Sequence, residues 1–96
     1  MDKKFRTKLR SMAQTIDAIG QVGKGGISPN QIESFKQAIE KRELIKITVL
    51  NNSEETAKDV SIELASLMEA EVVCVIGHKV VLYKRSTKDG VKHIEL

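Results

Sequence analysis

The stretch QVGKGGISPNQIESF, residues 21–35, joins three glycines and one lysine to a strong helix start. Ser28 can cap the helix, Pro29 suits its first position, and Gln31 completes an S-x-x-Q capping box. Glycine loses more conformational entropy on folding than other residues, so a cluster of glycines marks a turn or a close approach to the main chain. The stretch therefore predicts a strand-to-helix connection with a glycine-rich turn at residues 23–26.

The next element downstream is predicted to be a strand. Residues 43–50, ELIKITVL, alternate apolar side chains with Lys46 and Thr48. A period of two places the apolar side chains on one face of the strand and the polar side chains on the other. One face of the sheet is therefore expected to be covered, and the other to be partly open to water.

Two more helices and a hairpin complete the predicted elements. Residues 3–15 and 57–68 repeat apolar side chains at helical spacing, and residues 71–85 are typical of a hairpin that turns at Gly77-His78. The order α-β-α-β-α-β-β predicts right-handed crossovers and mostly parallel strands, with an antiparallel hairpin at the end. We expect an α/β two-layer sandwich, with about four strands in a mixed sheet and the helices on one face.

Length and composition are those of a small globular protein. The chain has 96 residues, of which 41% are hydrophobic and 30% charged, and only three side chains are aromatic. This length suffices for one domain over residues 1–96, with a core at about 3–85 and an uncertain tail at 86–96. The single cysteine, Cys74, favours a reducing cytoplasm, and no apolar run approaches the roughly 20 residues that span a bilayer.

Charge is divided unevenly along the chain. Residues 1–46 carry ten Lys or Arg against five Asp or Glu, whereas residues 47–96 carry six against eight. A basic half suits a polyanionic partner, although most lysines of soluble proteins are simply solvated. The low aromatic content argues against a surface that stacks bases.

Three phosphate-binding motifs can be compared with the glycine cluster. The P-loop pattern fails because Lys24 is followed by Gly25, and the dinucleotide pattern fails because Ser28 stands at its third glycine. The pattern G-x-x-G fits, and in KH-type RNA-binding domains such a loop lies against the backbone of about four nucleotides. Main-chain N–H groups, a helix N-terminus and Lys24 would favour a phosphate there. A plain tight turn is the alternative.

Four stretches together resemble the YhbY family, whose members are single CRM (chloroplast RNA splicing and ribosome maturation) domains. They are Leu9-Arg10 with Ala13, QVGKGG at residues 21–26, ELIKI at residues 43–47, and Ile76-Gly77 with VLYK at residues 81–84. The resemblance covers about residues 3–85. It implies an RNA-binding domain similar to the C-terminal domain of translation initiation factor three, associated with precursors of the large ribosomal subunit.

The resemblance also implies which residues contact RNA. The loop contacts would be Gly23, Lys24, Gly25 and Gly26. Basic side chains elsewhere are auxiliary candidates, namely Lys4, Arg6, Lys8, Arg10, Lys46 and Lys84. For the first helix the alternative is a solvated face, and for Lys84 it is a charge that protects a sheet edge.

The patterns that would indicate an enzyme are missing from the sequence. One Cys and two distant His residues offer no zinc spacing, and no Ser has a His and Asp partner by pattern. We therefore expect no catalytic activity, metal or cofactor. The hypothesis is a monomeric protein that holds ribosomal RNA during assembly of the large subunit, with neither DNA nor a membrane as partner. The alternative is a small protein-interaction adaptor without direct RNA contact.

Overall fold

The computed structural model describes residues 1–95 and confirms the predicted order of elements. The elements are α1 (Lys3–Ala13), β1 (Gly20–Val22), α2 (Pro29–Arg42), β2 (Leu44–Val49), α3 (Ala57–Met68), β3 (Glu71–Ile76) and β4 (Lys79–Tyr83). Within the described residues, the three helices are all too short and too polar to cross a lipid bilayer.

Helix α2 begins as its capping pattern predicts. The Gln31 N–H donates to Ser28 Oγ at 3.1 Å, and the Ser28 N–H donates to Gln31 Oε1 at 3.2 Å. This box satisfies two N–H donors locally, and Pro29 occupies the first turn. The glycine turn is therefore held directly against the N-terminus of α2.

The strands pair in the order β1-β2-β4-β3, so the last strand lies between the second and the third. β1 is parallel to β2, whereas β4 is antiparallel to both of its neighbours. The predicted hairpin is present, with Ile76 opposite Lys79 across the Gly77-His78 turn. The mixed sheet is confirmed, and β1, β2 and β3 point the same way, but only the β1–β2 pairing among the described strands is parallel.

Helices α2 and α3 cover one face of the sheet and form the larger core with it. The predicted apolar side of β2 belongs to this core, as does the buried Phe35 of α2. The buried members are Val22, Phe35, Ile39, Ile45, Ile47, Val49, Val60, Leu64, Met68, Val80 and Leu82. Burying these aliphatic side chains provides the main driving force for the fold.

Helix α1 lies on the opposite face of the sheet, where Leu9 and Ala13 pack against Leu44, Val73 and Val81. The α/β class and the four-stranded mixed sheet are confirmed, but the expected placement of all helices on one face is wrong for α1. The reason is that the central strand β4 has apolar side chains on both faces of the sheet, so burying them requires helices on both faces. A sheet with helices on one face only would leave this second apolar cluster in water.

Glu43, between α2 and β2, holds the residues that follow β4 against the fold. Its side chain is completely buried, and its backbone is left-handed with φ 64°. The carboxylate accepts hydrogen bonds from the N–H groups of Ser86 and Ile94, each at 2.7 Å, and from His93 Nδ1 at 2.6 Å. Burial by itself would raise the pKa of Glu43, but these hydrogen bonds outweigh it and lower the pKa below 4.5. One buried carboxylate therefore orders the tail.

Acid is expected to destabilise the fold through Glu43 and its neighbour Glu40. Hydrogen bonds from Lys84 and Thr87 lower the pKa of Glu40 from 4.5 to about 2. A carboxyl whose pKa is lower in the folded chain stabilises the fold above its unfolded pKa, and this contribution is lost as the pH falls through its folded pKa. Melting temperatures measured by circular dichroism should therefore decrease from about pH 4.5 towards pH 2.

The control for this pH dependence is a double variant, Glu40→Gln with Glu43→Gln. It should be less stable at pH 7 and should lose less of its remaining stability on acidification, because both carboxyls are gone. Parallel pH curves for the two proteins would contradict the assignment.

Candidate nucleic-acid interface

The glycine cluster forms a tight turn between β1 and α2. The Gly26 N–H donates to the Gly23 carbonyl at 3.0 Å, and these two residues form an isolated antiparallel bridge. Gly26 has φ +73°, a conformation that side chains other than glycine rarely adopt. The conformation of the turn thus explains Gly26, whose N–H is already bonded within the turn.

The two central residues of the turn lie at the surface of the protein. Lys24 and Gly25 are both exposed. Within residues 1–95, neither of their N–H groups takes part in a backbone hydrogen bond, and Lys24 forms no ion pair. Two adjacent N–H groups beside a free ammonium group are suited to hold an anion.

Gly25 is the glycine that the fold itself does not require. Its φ lies outside the left-handed range, and a Cβ atom added there would meet nothing within 4 Å. Neither backbone conformation nor internal packing therefore calls for glycine at this position. Its small size leaves the main chain at this position open to the solvent side.

The capping residue Gln31 also ties the helix start to strand β1. Its Nε2 donates to the Gln21 carbonyl at 2.6 Å, while its Oε1 accepts the Ser28 N–H. β1 is an edge strand, so this contact anchors the strand that leads into the turn. Gln31 thus holds the turn in place between β1 and α2. The N-terminus of α2, which is the positive end of the helix dipole, directly follows the turn.

The side of the turn that faces α3 is acidic. A cavity of about 160 Å³ separates them, and Glu54, Glu55 and Glu63 line it together with Lys24 and the glycines. A hydrogen bond to the Glu63 carboxylate and the negative charge of Glu63 raise the pKa of Glu55. Because carboxylates repel phosphate, an RNA backbone is disfavoured in this cavity.

Two of the predicted auxiliary residues belong to elements on the α1 side of the sheet: Arg10 lies in α1 itself, and Lys46 lies on the face of β2 that also carries Leu44. Burial raises the pKa of the Cys74 thiol, and the positive charges of Arg10, Arg6 and Lys46 oppose that rise. Among the described residues, neither Lys46 nor Arg10 forms an ion pair. Lys4 is exposed in the first turns of α1.

Three other predicted contacts are engaged inside the protein. Arg6 donates to the carbonyls of Val72 and Val73 at 3.3 and 3.1 Å, where β3 has an irregular register. Lys8 donates to a backbone carbonyl of the tail. Lys84 pairs with Glu40 at 2.8 Å, beyond the end of β4 that is remote from the glycine turn. We therefore leave these three side chains out of the candidate interface.

Lys79 was missed as a candidate residue. It lies in one row with Gln21, Thr48 and Ile76 across the four strands, and it donates to Thr48 Oγ1 at 2.7 Å. The alternation in the hairpin places Lys79 and Val81 on the same face of β4. The sequence does not show that β4 pairs with β2, so the row could not be predicted.

The fold and the turn define a small α/β protein that presents a glycine turn beside a capped helix. A family model described as CRS1 / YhbY (CRM) domain matches residues 1–84, and the chain belongs to this family. The predicted resemblance is thereby confirmed.

Two relatives show how close the similarity is. The chain is 46% identical over 88 residues to "Probable RNA-binding protein YqeI" of Bacillus subtilis (strain 168). This alignment covers 92% of this chain and 90% of the relative. It is also similar to the solution structure of the hypothetical protein SAV1595 from Staphylococcus aureus, a candidate RNA-binding protein. That match has a TM-score of 0.78 and 37% identity, and covers 98% of this chain and 99% of that chain.

Proposed function

We propose that this protein is a non-catalytic RNA-binding protein that acts in the cytoplasm during assembly of the large ribosomal subunit. It would bind the backbone of ribosomal RNA precursors as a monomer, with its single domain spanning the chain. The observation that carries the proposal is the turn at residues 23–26 at the N-terminus of α2, where Lys24 and Gly25 are exposed and, within residues 1–95, have neither a backbone hydrogen bond from their N–H groups nor an ion pair.

The chemistry of the turn favours phosphate as its ligand. Within residues 1–95 the N–H groups of Lys24 and Gly25 have no backbone partner, the α2 dipole adds partial positive charge, and Lys24 adds a full one. A polymer of phosphates can approach this main chain because Gly25 has no side chain and open space around it.

The relatives support RNA as the polymer. One is named a probable RNA-binding protein and the other is described as a candidate RNA-binding protein. The ribosomal role comes from the family resemblance, which associates stand-alone members with precursors of the large subunit. RNA binding and ribosome assembly therefore need separate tests.

Salt dependence tests the mode of RNA binding. Fluorescence anisotropy with a structured fragment of large-subunit precursor RNA should show log Kd rising linearly with log salt. With about four phosphate contacts, affinity should fall by roughly two orders of magnitude between about 50 and 200 mM KCl. Absence of binding at the low-salt end, or an affinity insensitive to salt, would overturn backbone recognition.

Sedimentation tests the biological role. Tagged protein from a cell lysate, separated on a sucrose gradient, should migrate with immature large subunits and return to the top of the gradient after treatment with ribonuclease. A complex that survives ribonuclease and contains only protein would instead support the adaptor function.

A further inference from the structure

We propose that the RNA ligand is helical, and that its backbone lies across the part of the sheet that α1 leaves open. This part, the open sheet face, consists of Gln21, Lys46, Thr48, Lys79 and Ile76. The inference rests on the proposed function and extends it from the glycine turn to a surface and to a structural class of RNA.

The position of α1 defines the open sheet face. Its cluster covers the row of Leu44 and Tyr83 and the neighbouring Val81. Lys46 lies in the same row as Val81, at the border of this cluster, and the next row towards the glycine turn on this face holds Thr48; both side chains are only half-buried. Four strands at about 4.8 Å spacing give this face a width of roughly 15 Å.

Charge complementarity favours a nucleic-acid backbone on this face. Lys46 and Lys79 project from its two central strands, Arg10 stands at its α1 border, and Lys24 lies at the end of β1. Across the register, Gln21 pairs with Thr48 and Thr48 with Lys79, so one polar row runs from the glycine strand to the hairpin. Positive side chains that follow one surface are the electrostatic signature of phosphate binding.

The carboxylates on the other side of the turn direct the ligand to this face. Glu54, Glu55 and Glu63 line the cavity between the turn and α3. A backbone held by the amides of Lys24 and Gly25 would meet negative charge if it continued into that cavity. On the open sheet face it meets positive charge.

The aromatic side chains indicate helical rather than single-stranded RNA. Phe35 is buried in the larger core, while Phe5 of α1 packs edge-to-face against Tyr83 of β4, with ring centroids 5.1 Å apart. Many proteins that bind single strands across a sheet stack bases on exposed aromatic side chains, and the open sheet face has none among its described residues. A-form RNA keeps its bases stacked internally and presents phosphates and 2′-hydroxyl groups, which Gln21 and Thr48 can hydrogen-bond.

Charge-neutralising variants test the surface. Lys46→Gln and Lys79→Gln should each weaken binding to an RNA hairpin by about five- to tenfold and reduce the salt slope by about one. The matched controls Lys36→Gln and Lys58→Gln change exposed lysines on α2 and α3, and their affinity should stay within about twofold of wild type. Equal losses from all four variants, or none from Lys46 and Lys79, would overturn the proposed surface.

The form of the nucleic acid tests the ligand class. A hairpin of about 20 base pairs of RNA should bind at least tenfold tighter than single-stranded RNA of equal length or a DNA hairpin of equal sequence. Equal or tighter binding of the single strand would overturn the inference but leave the proposed function intact. Failure of every RNA probe to bind the wild type would overturn the proposed function itself.

A last variant tests whether the RNA backbone lies on the open sheet face or in the cavity between the turn and α3. Glu55→Gln combined with Glu63→Gln should leave hairpin affinity unchanged or slightly higher, because it only removes negative charge near the ligand. A fivefold or greater loss would show that these side chains contact the RNA, and would place the ligand in the cavity instead.

Discussion

Replacing Gly25 with aspartate is expected to weaken RNA binding by about 2–3 kcal/mol, or roughly 30- to 150-fold in Kd. The new carboxylate would stand beside the backbone N–H groups of the exposed residues Lys24 and Gly25, and would repel a phosphate held there. The fold should be unaffected, since a Cβ at this position has no neighbour within 4 Å and the backbone φ suits any residue.

Two matched variants separate the site from general effects. Gly25→Ala adds a methyl group without charge and should cost an intermediate amount of affinity, because it only obstructs the approach to the main chain. Ser66→Asp adds the same negative charge on the exposed surface of α3 and should leave affinity within about twofold. Circular dichroism verifies folding. If a folded Gly25→Asp variant bound RNA with wild-type affinity, the assignment of the turn as an RNA-binding site would be wrong.

Replacing Glu43 with glutamine is expected to cost about 3 kcal/mol of the free energy of unfolding. The carboxylate is fully buried and accepts three hydrogen bonds, from Ser86, His93 and Ile94. Glutamine keeps the shape but directs an NH₂ group at donors, so at least one buried donor loses its partner. Urea unfolding followed by circular dichroism measures this loss.

Hydrogen exchange shows whether the loss comes from the tail. In Glu43→Gln, the amides of Ser86 and Ile94 should exchange faster by at least tenfold. The exchange rates of amides in the middle of α2 should change only by the amount that the change in global stability explains. Glu33→Gln is the control, because Glu33 is an exposed residue of the same helix. Unchanged protection at Ser86 and Ile94 would contradict the role of Glu43 in holding the tail.

Local patterns predicted the elements of this fold well. The capping box placed the start of α2, alternation identified β2, and the Gly77-His78 pair identified the hairpin turn. These features depend on hydrogen bonds and side-chain directions within a few residues, which are encoded in consecutive positions. A helix end was less predictable at Glu43, where glycine is the common residue in the left-handed conformation.

The candidate site was predicted in part. The turn at residues 23–26 has the exposed backbone that its glycines indicated, and its contact with RNA stays a prediction. Among the basic residues, sequence could not separate Lys46, which is unpaired in the described structure, from Lys84, which pairs with Glu40. It also could not find Lys79, whose neighbours Gln21 and Thr48 come from distant positions of the chain.

The sequence by itself determined the family, the order of the elements and the glycine turn at a capped helix, because each depends on short-range spacing. Only the tertiary structure decided that β4 lies between β2 and β3, that α1 covers the second face, and that Glu43 holds the tail. These choices depend on which apolar surfaces and buried polar groups satisfy one another across the whole chain. Long-range burial, rather than local pattern, therefore determines which basic side chains remain available on the open sheet face.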